Sequence, residues 1–313
     1  MSDNKNNLVS IVVITYNSES TVIETLDSIK SQDYEAVELI ITDDCSKDAT
    51  VELCDNWLVK NGNVFTRSLI INSKINTGTA ANINRGVHAS KGEWIKIIAG
   101  DDLLKQNSIS SYVDFALKKQ GEIYCSDCEV FTSDGDVPHD VIVSYERFFR
   151  LVNEPQTKQL RRIASDYVIP GPALFFSRHL YNQVGGYDER FGLAEEVPFA
   201  FKVLKLGYEI IPINQKLIRY RYSTNSVSHT KKRLSNRKWF DDSKGVFYAY
   251  QYPELIRTKR YLKAYEKVIS YYSDELEYKQ SIFTPLFIKF LDFINPRYYR
   301  NAIIKTKKLL RIN

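Results

Sequence analysis

Two adjacent acids, Asp101 and Asp102, close the run EWIKIIAGDD. An apolar segment, Trp94 to Ala99, leads into them through a single glycine. Carboxylates a few ångströms apart repel, and removal from water sharpens the repulsion. Such a pair persists on a solvated turn or with a cation beside it. A second pair, Asp43 and Asp44, ends VELIITDD, and a third, Glu195 and Glu196, lies in GGYDERFGLAEEVPFAF. Pro198 suits the first turn of a helix, so Glu195 and Glu196 are expected near its N-terminus. Partial positive charge there favours the ionised form that a general base needs.

The elements that must position these acids follow from hydrophobic spacing. VSIVVITY (residues 9–16) is a continuous β-branched run, the pattern of a strand buried on both faces. Val22, Leu26 and Ile29 then mark a helix with one buried stripe. VELIITDD is a second strand, and Val51, Cys54 and Leu58 give a second helix ending near Gly62. RSLIIN is a third strand, Ala80, Ile83 and Val87 mark a third helix closed by Gly92, and EWIKIIA is a fourth strand. Strand–helix alternation with short links predicts a parallel sheet covered by helices. The strands end in TYN, TDD, N and GDD. In open α/β sheets the ligand crevice lies beyond the carboxyl ends of the strands. Thr15, Tyr16, Asp43, Asp44, Asp101 and Asp102 should therefore share one acid-rich rim. No GxGxxG or GxxxxGK[ST] is present, which excludes a Rossmann dinucleotide fingerprint and a P-loop. A hard divalent cation, Mg2+ or Mn2+, bound through oxygens and bridging to phosphates, fits the rim best.

Composition narrows the class. The chain has 313 residues, 43% hydrophobic and 26% charged, enough to bury a core as one large domain or two modest ones. The net charge is +5. From Asn295 onward there are six Lys/Arg and no Asp or Glu. The start MSDNKNN has no apolar segment of the secretory type, and the four cysteines are expected to be free thiols in a reducing cytoplasm. Cys125 and Cys128 fall in EIYCSDCEVF, which alternates like a strand, so a three-residue offset predicts their sulfurs on opposite faces. No uninterrupted apolar stretch of about 18 residues predicts a spanning helix. VIPGPALFFSR (168–178) suits a loop shaping a sugar pocket or, equally, a turn into a core strand. After His229 the chain is rich in Arg, Lys and Tyr and reads as helices. Its basic, apolar end suits the inner face of an anionic membrane or a docked helix with a solvated basic face.

SIVVITYN, IITDDCSKDAT, NTGTAANINRGVHASKGEWI, GDD and GGYDERFGLAEE occur in the order and spacing seen in family 2 glycosyltransferases. The resemblance spans roughly Leu8 to Ser228. It implies the GT-A fold: a mainly parallel central sheet flanked by helices, here with a helical C-terminal extension. The implied boundaries are residues 1–230 for the transferase domain, with a nucleotide-sugar half at 8–120 and an acceptor half at 121–230, and 231–313 for the extension. It also implies an inverting transfer from a nucleoside-diphosphate sugar, often UDP-linked, to a glycan hydroxyl. The acceptor would be lipid-linked in surface polysaccharide or O-antigen synthesis, with the enzyme cytoplasmic or peripheral on the inner membrane face. The alternative is a nucleotide-sugar-binding or membrane-surface accessory protein without transferase activity.

The resemblance also assigns roles. Thr15, Tyr16 and Asn17 fall at the nucleotide, with Tyr16 offering a ring face to the base. Asp44, ahead of Asp43, matches the acid that receives a uracil N–H. Asp102 matches the metal ligand, and Asp101 the residue holding ribose or a metal-bound water. Asn84 joins the nucleotide-sugar set. Glu196 matches the general base, with Glu195 in reserve. Three departures stand out. Glu-Glu replaces the usual Glu-Asp at the base. Ser223 replaces the histidine of a Tyr-Arg-x-His segment, so a third protein ligand for the metal is not assigned. Ile83 replaces an arginine before Asn84, and a 100° turn leaves Arg85 without an expected reach to phosphate. The basic extension fits an anionic membrane better than nucleic acid, because an acid-rich crevice repels phosphate without a metal.

Overall fold

A computed structural model describes residues 7–133, 135–165, 170–223, 236–279, 289–291 and 293–296. His229, Val168 and Ile169 of the proline-rich loop, most of the apolar segment 282–294, and the basic end from residue 297 lie outside the described residues. The chain forms two compact units, Met1–His229 and Thr230–Asn313.

The first unit is built on an eight-stranded sheet. Its strands are β1 (Val9–Thr15), β2 (Val37–Asp43), β3 (Arg67–Asn72), β4 (Trp94–Ala99), β5 (Leu103–Leu104), β6 (Ile123–Phe131), β7 (Leu174–Ser177) and β8 (Ile211–Arg221). They lie in the order β3-β2-β1-β4-β7-β6-β8-β5. The first four are parallel, as strand–helix alternation predicts. β7 then runs antiparallel to both β4 and β6, which makes the sheet mixed. The helices joining the parallel strands are α1 (Val22–Lys30), α2 (Thr50–Asn61) and α3 (Thr79–Ala89). α1 and α3 bury the stripes their spacing sets out: Val22, Leu26 and Ile29 on α1, and Ala80, Ile83 and Val87 on α3, are enclosed. On α2 only Cys54 of the expected stripe is enclosed, together with Thr50 and Trp57, while Val51 and Leu58 are half-buried.

Further along come α4 (Ser108–Lys118), α5 (His139–Val152), α6 (Gln156–Ile163), α7 (Arg178–Val184) and α8 (Glu196–Lys205). A single 3-10 turn, Gly171–Ala173, leads into β7. In β6, register shifts on both sides of Asp127 break simple alternation. Cys125 and Cys128 lie on either side of these shifts. Both thiols are buried and within electrostatic reach of the Lys96 ammonium, and Cys128 is also within reach of Cys125.

The sheet's amino-terminal edge is held by a buried acid. Glu38 accepts hydrogen bonds from Ser10 Oγ at 2.6 Å, from Gly92 N at 2.8 Å and from Lys91 N, and pairs with Arg67 at 3.2 Å. Burial pushes its pKa up, but these donors outweigh burial and hold it below the ordinary range.

The second unit is helical where described. It contains α9 (Arg237–Val246), a π-turn at Phe247–Gln251, α10 (Tyr252–Arg257) and α11 (Tyr261–Lys279). Phe247 packs among Tyr248, Tyr252 and Tyr271. Glu275 pairs with Arg237 and Lys244, tying α11 to α9.

Candidate active site

The carboxyl ends of β1, β2 and β4 meet because the register aligns them. Thr15 faces Asp43, and Ile14 faces Ala99. Asp44 N donates to Thr15 O at 3.0 Å, and Gly100 N donates to Ile14 O at 2.9 Å. The two aspartate pairs therefore flank the end of β1. β7 runs against β4, so its beginning, with the Gly171–Ala173 turn, reaches the same rim. There Gly171 lies against Glu196, the first residue of α8.

The acids differ sharply in how the chain supplies them with donors. Asp43 is fully buried. It accepts from Thr15 Oγ1 at 2.8 Å, from Ser46 N at 2.8 Å and from Ser46 Oγ. Asp44 accepts from Thr77 N at 3.0 Å, Thr77 Oγ1 at 2.7 Å and Gly78 N at 2.7 Å, and pairs with Arg85 at 3.2 Å. A carboxylate has about four acceptor positions, so Asp44 is saturated. It ties the turn that starts α3 to the end of β2. An incoming N–H would have to displace one of these donors.

Asp102 is the opposite case. It is 1% exposed. Its Oδ1 accepts from Arg221 N at 2.9 Å, while its buried Oδ2 has no hydrogen-bond partner. Burial, with the neighbouring Asp101 charge, pushes its pKa well above the carboxylate range. Burial also raises that of Asp101. A buried carboxylate oxygen left without a donor is costly. A hard cation would relieve that cost, and the oxygen chemistry of this pair suits Mg2+ or Mn2+. Among the described residues no group of three His, Cys, Asp or Glu side chains is gathered to hold a metal. Ions of this kind bind through one or two carboxylates together with water and substrate phosphates, which matches the donor set.

Glu196 differs from its sequence reading. It opens α8 as expected, with Glu195 at the cap position. However, burial outweighs the hydrogen bond from its own N–H and pushes the carboxyl up to about 7. The helix terminus does not keep it at an ordinary carboxylate value. A pKa near 7 suits a general base working at neutral pH. Tyr187, fully buried and stacked on Phe199 at 4.3 Å, lies within electrostatic reach of both Glu195 and Glu196.

The remaining expected site residues separate into braces and exposed groups. Asn17, at φ 51°, accepts from Lys47 N at 2.8 Å through its side chain. Asn84 donates to Tyr187 O at 2.9 Å and Glu189 Oε1 at 2.8 Å, and accepts from Tyr181 OH at 2.7 Å and Tyr187 N at 2.9 Å. Every amide position of Asn84 is thus spent on α7 and the loop before α8. Gly186, at φ 67°, is required there, because a Cβ would fall 2.9 Å from Asn84 Oδ1. Tyr16 is 50% exposed and keeps its ring face open at the rim.

Three charged residues near the rim were not among the expected site residues. Arg85 lies over Asp44 and donates to Thr77 Oγ1 at 2.6 Å, so it faces the end of β2. Its helical neighbour Asn84 faces the loop, which is the 100° turn expressed in contacts. Arg221 binds Asp101 O at 2.7 Å through Nε, supplies the backbone donor to Asp102, and pairs with Glu24 on α1. The Tyr-Arg pair of YRYS was the available signal for Arg221. Lys96, inside a strand otherwise apolar from Trp94 to Ala99, was the signal for a buried cation.

Residues 10–183 match the model of glycosyl transferase family 2, more than half of the chain, and the chain belongs to that family. Glycosyltransferase GlyG of Streptococcus pneumoniae serotype 4 is 27% identical over 246 residues, covering 77% of this chain and 78% of its own. TuaG of Bacillus subtilis, named a putative teichuronic acid biosynthesis glycosyltransferase, is 21% identical over 233 residues, covering 74% and 86%. Staphylococcus aureus TarS residues 1–349, solved with UDP-GlcNAc, superposes with a TM-score of 0.59 at 16% identity, covering 96% of this chain and 92% of that one. The mannosyltransferase PcManGT of Pyrobaculum calidifontis, solved with GDP-Man and Mn2+, gives 0.57 at 17% identity, covering 97% and 75%. These two likenesses establish the GT-A type fold.

Proposed function

We propose that this chain moves a sugar from a UDP-linked donor, with UDP-N-acetylglucosamine the first candidate, to a hydroxyl of a glycan acceptor during bacterial surface polysaccharide assembly. The observation that carries this reading is the partnerless buried Oδ2 of Asp102 beside Asp101 at the end of β4. Family membership supports the transfer, and the names of the relatives support the polysaccharide class. The donor half is residues 8–120 and the acceptor half 121–230. The acceptor is lipid-linked, and the basic end beyond residue 296 holds the enzyme at an anionic membrane face. No helix among the described residues is long and apolar enough to cross a membrane.

Asp102, assisted by Asp101, would hold Mg2+ or Mn2+, which supplies Lewis-acid stabilisation of the departing diphosphate. Tyr16 stacks on the base. Asp44 and Arg85 shape the pocket beside it, with Asp44 receiving the uracil N–H by exchange for one of its present donors. Glu196, ionised, takes the proton of the acceptor hydroxyl. The freed oxygen forms the new bond to the anomeric carbon as the bond from that carbon to the diphosphate breaks. UDP leaves with the electron pair, the configuration inverts, and the proton stays on Glu196. Positioning of the two substrates supplies much of the remaining acceleration.

The test is UDP release from a panel of nucleotide sugars, with and without Mn2+. Turnover of a UDP-sugar abolished by chelator is the expected result. Undiminished turnover in excess chelator, or protection against unfolding by no nucleotide sugar, would overturn the reading.

A further inference from the structure

Lys96 lies in the middle of β4 and is completely buried. Burial pulls its pKa down to about 8, so it keeps its three protons at neutral pH. Its hydrogen-bond partners are all carbonyl oxygens. Nζ donates to Ile97 O and to Leu174 O, each at 3.2 Å, and to Pro172 O. Three N–H donors thus meet three acceptors. Tyr112 of α4, its ring 5.5 Å from the ammonium, places its hydroxyl 3.0 Å from Ala173 O. The consecutive carbonyls of Pro172, Ala173 and Leu174 are therefore held by two side chains that reach in from β4 and α4.

That grip covers the first residue of the ladder and the two residues before it. The ladder of β7 starts at Leu174, opposite Cys125. Ahead of it the segment is closed only by its own turn, Ala173 N to Pro170 O at 3.0 Å. The other side of the segment touches the proposed base. A Cβ on Gly171 would lie 3.1 Å from Glu196 Cγ and 3.4 Å from Oε1, so glycine lets the backbone close directly on that side chain. A buried ammonium is expensive, and an apolar side chain of the same length would fill the space in β4. Core packing alone therefore does not account for the lysine.

We propose that Lys96 is a positioning residue for the base: by fixing Pro170–Leu174 it makes that segment a backstop that holds Glu196 at the acceptor hydroxyl. This inference rests on the reading of Glu196 given above. It adds a link from the donor-side strand carrying Asp101 and Asp102 to the proton acceptor of the other substrate.

A double-mutant cycle tests it. UDP release from UDP-N-acetylglucosamine with Mn2+ is measured for Lys96→Met, Glu196→Gln and the double variant, with hydrogen exchange of peptides covering residues 170–176. Expected is a fall in kcat of roughly 10- to 100-fold for Lys96→Met with KM within twofold, and no further fall in the Glu196→Gln background. Exchange at 170–176 rises, while peptides of α3 keep their rates. Losses that multiply in the double variant, or a raised KM with faster exchange throughout, would show a general structural role and overturn the proposal. If Lys96→Met does not melt cooperatively, Tyr112→Phe replaces it. A smaller kcat loss confined to the Glu196 background is then expected, and an unchanged kcat counts against the anchor. Equal rates for wild type and Glu196→Gln would remove the base assignment instead. In that event, or if the wild type releases no UDP, unchanged exchange at 170–176 in Lys96→Met defeats the anchoring.

Discussion

Acids at the end of β2 and acids at the ends of β4 and α8 share one rim but are treated oppositely by the chain. Asp43 and Asp44 are filled with donors from Thr15, Ser46, Thr77, Gly78 and Arg85. Asp102 keeps one buried oxygen without a partner, and Glu196 is buried enough to hold its proton to about pH 7. A saturated carboxylate stabilises the fold at its own position. A starved one costs stability and is available to something that arrives. The contrast separates the frame of the site from its reactive groups more clearly than residue type does.

Asp102→Asn should break this contrast most severely. Metal-dependent turnover is expected to fall by more than about 10³-fold, with Mn2+ binding lost by calorimetry. The melting temperature should be no lower than that of the wild type, because a buried carboxylate oxygen without a donor has been removed. A large drop in stability would place Asp102 with the frame instead. Glu196→Gln is expected to lower kcat by about 10²–10⁴-fold. In the wild type, kcat should fall tenfold per pH unit as pH drops below about 7, since the base is lost when Glu196 takes its proton. The variant should lack that limb. The sign for stability is the reverse. Between the ordinary value of 4.5 and about 7, the folded chain holds a proton that the unfolded chain has shed, so this group's contribution weakens as pH rises through that window.

Asp44→Ala sharpens the other side. It frees the donors of Thr77, Gly78 and Arg85, and a loss of about 3 kcal/mol is expected, lowering the melting temperature by roughly 5–10 °C. Donor affinity falls with it. A variant that lost affinity at full stability would make Asp44 a ligand contact rather than a brace. The smallest effect is assigned to Tyr16→Ala. Its ring is exposed, so stability is unchanged, and KM for the donor rises roughly tenfold if the base stacks there.

The amino-terminal strands and helices were legible because their signals are local. β1 and β2 are β-branched runs buried on both faces, and α1 and α3 carry one apolar stripe each. The Asp pairs were placed on one rim because parallel strands put their carboxyl ends together. β6 was legible as a strand, but its irregularity at Asp127 escaped because a bulge leaves no mark in an alternating pattern. The protonation of Glu196 escaped because helix position is local, whereas the burial that outweighs it depends on packed segments such as the one holding Gly171, 25 residues earlier. Arg221 and Lys96 were visible as charges, but Asp101 for the first and Pro172 and Leu174 for the second lie more than 70 residues away in the chain.

Residue order by itself determined the alternation of strands and helices, the rim on which the acids gather, and the family. Periodicity and spacing are properties of the chain, and parallel pairing follows from them. Tertiary structure decided which acids are saturated and which are left short. Hydrogen-bond supply and burial depend on groups brought together from distant segments, and no local pattern records that sum.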